Sequence, residues 1–194
     1  MPNDDATRKE KILNTAFELM SKNGIDRTTV RDIAAASGAN LASLNYHFGS
    51  KDKLVSQMIV FYYSGMWKNF AVLGDKNISV RERLKKFCLN FQEYSLSHAG
   101  IQKYLLGQAI QEKEQRPELE ENLEKQVRIL TEAVGEWCGT GAPEELLYKA
   151  VQFKSAIVYP LLMIQYDRIL FGRDQPPAEM REKYIDLLID GLKK

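Results

Sequence analysis

The chain has 194 residues, 44% hydrophobic and 27% charged, which gives one domain or two small ones a real core and excludes a disordered or collagen-like chain. Its 27 Lys and Arg against 26 Asp and Glu leave a net charge of +1, so no global field draws it to nucleic acid or an acidic membrane, and any such contact has to be local. Cys88 and Cys138 stand fifty positions apart without Cys or His neighbours, which argues against a metal knuckle, a redox motif or a disulfide framework and for two small core residues in a reducing compartment.

The start Met1-Pro2-Asn3-Asp4-Asp5 is acidic and carries no basic and apolar export signal, so a cytoplasmic protein is expected. Residues 7–22 then place Ile12, Ala16, Phe17 and Met20 on one helical stripe, and Asn23-Gly24 stops the helix. Thr29 caps a second helix, with Asp32 three positions on completing a capping box; Val30, Ile33 and Ala34 form its buried side. After the turn at Gly38, Asn40 caps a third helix carrying Leu41, Leu44 and Phe48. Longer apolar-rich helices are predicted over 51–73, 79–97, 101–113, 117–138, 143–171 and 177–193, and nothing alternates as strands do. The predicted architecture is all-α with about nine helices. Residues 1–50 form a three-helix domain and 51–194 a larger helical one, joined rigidly because Lys51 opens a helix with no linker before it. Pro160, inside the 143–171 pattern, is expected to kink or break that helix.

Two short helices crossing over a tight turn need a small residue at the closest approach, a glycine able to go left-handed and an apolar lock; Ala34, Gly38 and Leu44 fill these roles. An ordinary three-helix core meets the same triad, so the triad alone does not decide between a packing unit and a helix-turn-helix. Ile33 to Ser50 is also an eighteen-residue run without charge, too polar for a membrane span. Its lack of charge needs another explanation.

Thr28-Thr29-Val30-Arg31-Asp32-Ile33-Ala34-Ala35-Ala36-Ser37-Gly38 and Leu44-Asn45-Tyr46-His47-Phe48-Gly49-Ser50-Lys51-Asp52-Lys53-Leu54 together resemble the TetR (AcrR-like) family of bacterial transcription regulators over about the first fifty-five residues. Asn45 and Ala42 depart from the Tyr and Gly common in that family. The resemblance implies that Ala42, Ser43 and Tyr46 face the major groove, with Leu41 and Asn45 at the boundary. Thr29, His47 and Lys51 would meet phosphates, and Arg31 would reach a base edge or the backbone. With Arg31, Lys51 and Lys53 as the nearby cations, a moderate salt dependence of DNA binding is expected.

Because one recognition helix reads few bases, such proteins bind as dimers with recognition helices about 34–36 Å apart. Candidates for the interface are the last two helices, through Leu146, Leu147, Val151, Ala156, Ile157, Tyr159, Leu161, Leu162, Ile164 and Ile169 on one and Tyr184, Leu187, Leu188 and Leu192 on the other. In the resemblance, these helices pair with their symmetry mates as a four-helix bundle in a homodimer. It also implies a pocket for a small-molecule effector among the middle helices, for which the candidates are Trp67, Phe70, Phe87, Phe91, Tyr94, Tyr104, Gln108, Trp137, Gln152 and Tyr159. Any of these aromatics serves equally well as bundle core. No cluster of Arg or Lys falls on a predicted inner face, which favours an apolar or aromatic effector. By resemblance, the effector swings the Lys51 helix and releases a palindromic double-stranded DNA operator.

The sequence lacks HExxH, GxSxG, P-loop and dinucleotide fingerprints, so no enzyme, metal or cofactor is expected. Glu118, Glu120, Glu121 and Glu124 read as a solvated helix face. The competing reading is a helix-turn-helix protein whose larger domain only dimerises or docks a protein partner, with no small-molecule control.

Overall fold

A computed structural model describes residues 2–110, 117–139, 141–162, 172 and 178–193. It contains nine α-helices among the described residues: α1 (Pro2–Asn23), α2 (Val30–Ser37), α3 (Leu41–Phe48), α4 (Lys51–Ala71), α5 (Val80–Ser97), α6 (Ala99–Ile110), α7 (Pro117–Cys138), α8 (Pro143–Leu162) and α9 (Ala178–Gly191), with one 3-10 turn at Val72–Gly74 after α4. No strand is present among the described residues. None of these helices is long and apolar enough to cross a membrane.

The chain divides into two compact units, Met1–Gly65 with Ser95–Lys113, and Met66–Tyr94 with Glu114–Lys194. The first unit therefore runs past the border expected near Gly49–Ser50 and takes in α6. Its core joins Ile12, Ala16 and Met20 of α1, Ile33 of α2, Leu44 and Phe48 of α3, and Leu54 and Met58 of α4, all buried. α6 docks on α1 where Gly100 meets the end of α1, and Ile101 beside it is fully buried. The approach is so close that a β-carbon at Gly100 would fall 2.2 Å from the Met20 carbonyl oxygen and 2.8 Å from that of Ser21. Phe17 sets its ring edge-on to Phe61 at 4.8 Å and against His98 at the same distance, which ties α1 to α4 and the α6 entrance.

In the second unit α7 and α8 are joined across a short loop and pack together around Leu130, Val134, Ala150, Phe153 and Ile157. Arg83, 2% exposed, donates to the Leu73 carbonyl at 2.7 Å and pairs with Glu136 of α7. That guanidinium, with Lys76 behind it, holds the Glu136 carboxyl down at about 2. α9 is pinned by side chains from two other helices. Arg81 and Lys85 of α5 reach Asp186 at 2.9 and 3.0 Å, and the Trp137 indole of α7 donates to the Ile189 carbonyl at 2.9 Å.

α8 continues through Pro160 to Leu162, so of the kink or break expected there the break does not occur. Proline has no N–H for the carbonyl four residues back, which is that of Ala156. The Tyr184 hydroxyl of α9 donates to this orphaned oxygen at 2.8 Å, so the missing hydrogen bond becomes a docking point for α9. Residues 163–171, with Ile164 and Ile169, lie outside the described residues, as do 111–113 of the helix expected to end there.

Candidate nucleic-acid interface

Local chemistry sets the geometry of α2 and α3. Thr29 sits in extended backbone at φ −93°, its hydroxyl accepts from the Asp32 N–H at 3.2 Å, and its own N–H donates to the Asp32 carboxylate at 2.8 Å. These bonds hold the Asp32 carboxyl below its ordinary range, hydrogen bonding from Thr29 being the main cause. Gly38 ends α2 at φ +70°, a conformation a β-carbon strains, and the Ala39 N–H closes the turn onto the Ala34 carbonyl at 3.1 Å. Asn40 then accepts from the Ser43 N–H at 2.8 Å and starts α3 at once. Ala34, Leu44 and Phe48 are 7%, 2% and 4% exposed and lock the two helices together.

With Leu44 and Phe48 buried, the opposite face of α3 is thrust outward. Tyr46 is 79% exposed and Leu41 42%, and Ala42 and Asn45 beside them are exposed too. Residues 41, 42, 45 and 46 share one face of an α-helix, so the four make a single uncharged patch. Ser43 is half-buried, its backbone engaged by Asn40. Thr29 and Arg31 are exposed at the start of α2 and Lys51 is half-buried at the start of α4. The His47 imidazole is covered, at 5% exposure, 3.6 Å from the Asp5 carboxylate and edge-on to the Tyr46 ring. It packs against the Tyr46 ring, and the resemblance gives it a phosphate contact as well.

A cavity of about 350 Å3 opens beside this patch, between α1 and the turn, lined by Thr7, Arg8, Lys11, Ile12 and residues 37–40 and 43. Arg8 and Lys11 thus stand next to the start of α3. Their sequence places them only on a solvated face of α1, because it is the crossing of α1 over the turn that brings that face to the recognition helix.

Four of the proposed effector residues come together in the second unit. Trp67, Phe70, Phe87 and Phe91 follow one another with centroids 5.3, 4.8 and 5.7 Å apart, and the Trp67 indole donates to the Asn122 amide oxygen at 3.0 Å. Tyr94 is half-buried one turn beyond Phe91, and burial pushes its hydroxyl up to about 12. The others lie elsewhere. Tyr104 and Gln108 are half-buried on α6 in the first unit, Trp137 faces α9 with the Lys193 ammonium 3.6 Å over its ring, and Gln152 and Tyr159 are exposed on α8.

Capping box, glycine turn, apolar lock and outward uncharged helix face define a helix-turn-helix protein. Residues 12–58 match the sequence model of the bacterial regulatory proteins of the tetR family. The chain is 29% identical over 101 residues to the HTH-type transcriptional repressor KstR2 of Mycolicibacterium smegmatis, covering 52% of this chain and 49% of that protein. It is 43% identical over 51 residues to IcaR, the negative regulator of the biofilm operon icaADBC in Staphylococcus aureus, covering 26% and 27%. Its fold is similar to that of a TetR-like transcriptional regulator from Rhodococcus sp. RHA1, with a TM-score of 0.70 at 20% identity over 95% and 94% of the two chains. The match to KstR2 spans about half the length of that relative. Residues 12–58 thus carry the N-terminal pattern of the tetR family of bacterial regulatory proteins, and the likeness of the whole chain to TetR-like structures is one of fold.

Proposed function

We propose that the protein is a cytoplasmic, ligand-responsive repressor that grips a palindromic operator as a homodimer and lets go when a small molecule binds its larger domain. The observation that carries this reading is the outer face of α3. Tyr46, Asn45, Ala42 and Leu41 are projected together while Leu44 and Phe48 hold the helix from behind, as a helix presented to the major groove requires. Thr29, Arg31 and Lys51 flank that face as phosphate contacts, and Ser43 reaches it from the first turn of α3. The names of relatives support repression, since KstR2 and IcaR are both described as repressors or negative regulators.

Dimerisation rests on apolar groups left uncovered on α8 and α9. Leu147, Val151 and Tyr159 are 40%, 44% and 59% exposed, and Met180 and Leu187 are 44% and 66% exposed. A two-fold contact between these helices and their copies would bury them.

Binding to an operator selected from random DNA tests the reading. Tyr46→Ala should lower operator affinity about 10- to 100-fold, the value of one good base contact, and leave the melting temperature unchanged because the side chain is solvent-exposed. Equal affinity for the variant would remove Tyr46 from the interface. Arg8→Gln with Lys11→Gln should flatten the slope of log K against log salt by about 0.9 for each phosphate these cations neutralise, without altering which sequence is preferred. An unchanged slope would mean that the cations beside the turn stay off the backbone.

A further inference from the structure

At about 3.6 residues per turn, Ala42 and Asn45 occupy the middle of the outward face of α3 and Leu41 and Tyr46 its edges, and all four are exposed. The Asn45 amide has no hydrogen-bond partner among the described residues, whereas Asn40, just before the helix, commits its side-chain oxygen to the Ser43 N–H at 2.8 Å. Residues 41–48 include no Arg, Lys, Asp, Glu or Gln, and the His47 side chain is covered at 5% exposure. Asn45 therefore holds the one planar pair of donor and acceptor on this face. Helical side chains lean towards the N-terminus, which sets that amide over Leu41 and Ala42, one turn back.

Base edges in the major groove differ in what they offer. Guanine presents two acceptors, which suit Arg or Lys, and cytosine an amino donor, which suits a carboxylate. Adenine presents the N7 acceptor beside the N6 donor, which an amide matches with its own N–H and carbonyl. Thymine presents a methyl group, which an apolar side chain covers. A free amide bordered by Leu41 and Ala42 is thus complementary to adenine and thymine, and the face has no group for a bidentate hold on guanine. Ala42 and Asn45 lie about 4.5 Å apart along the helix, and bases stack about 3.4 Å apart, so the two side chains reach base pairs one or two steps apart.

We infer that Asn45 is the specificity-determining residue of α3. It reads one adenine in each half-site through N6 and N7, and a thymine one or two base pairs away sets its methyl group against Ala42. This inference rests on the reading of α3 as the major-groove helix and narrows it to the bases recognised.

The test starts from an operator selected out of random DNA by the full-length protein. Each base pair of one half-site is then replaced in turn, and binding is measured at low salt, where phosphate contacts keep weakened pairs bound. Wild type should lose about 5- to 150-fold in affinity at one adenine, the value of a bidentate base contact. Asn45→Ala should remove that penalty and keep the penalties at other positions, and Asn45→Asp should move the preference there to cytosine. Both variants should melt as wild type does, since the side chain is exposed. Deoxyuridine in place of the thymidine one or two base pairs from that adenine should cost wild type about 4-fold, the value of one buried methyl group. An operator without such an adenine, an Asn45→Ala variant that keeps every penalty, or a deoxyuridine that costs nothing would overturn the inference and leave DNA reading through α3 standing. A wild-type protein that enriches no sequence would overturn both.

Discussion

Gly100→Ala is expected to destabilise the protein by about 3 kcal/mol, the upper part of the ordinary cost of overpacking, and to lower the melting temperature by about 6–12 °C. The added methyl would lie 2.2 Å from the Met20 carbonyl oxygen and 2.8 Å from the Gly24 amide nitrogen. Both obstacles are backbone, so no rotamer change relieves the clash, and α6 has to move off the end of α1. Gly107, further along the same helix, meets nothing within 4 Å, and Gly107→Ala should be neutral or slightly stabilising because alanine is the better helix former. Thermal melts of the two variants check this pair. Equal melting temperatures would show that α6 does not approach α1 so closely.

The second large effect is on assembly. Val151→Glu with Leu187→Glu places two charges on apolar positions that are 44% and 66% exposed in a single chain, so the fold of each chain should survive. A dimer that buries these positions should dissociate. Operator affinity should then fall by about 10²–10⁴, the gain that linking two half-site contacts supplies. Sedimentation gives the mass and a binding titration gives the affinity. A dimer that persists with full affinity would place the interface on another surface.

What was legible in the sequence was local chemistry. Thr29 with Asp32, the left-handed Gly38 and the Asn40 cap each act on backbone groups within a few residues, so their roles follow from order along the chain. Leu44 and Phe48 followed from helical spacing. What depended on how helices cross was not legible. Arg8 and Lys11 carry no signal that distinguishes them from other charges on α1 until the turn is packed against it. The aromatic residues looked alike in sequence, yet Phe70, Phe87 and Phe91 join one run whereas Trp137 is claimed by α9. Pro160 argued for a kink or a break, and the sequence could not supply the Tyr184 hydroxyl that takes up the freed carbonyl.

Selection of random double-stranded DNA by the purified protein, at near-physiological salt with non-specific competitor, bears most directly on the proposal that this chain reads DNA through α3 as a dimer. Protein unfolded and refolded without ligand should enrich a palindrome whose half-sites lie about one helical turn or a multiple of it apart, and Tyr46→Ala should enrich it weakly. A refolded, ligand-free dimer that enriches no sequence would contradict the proposal.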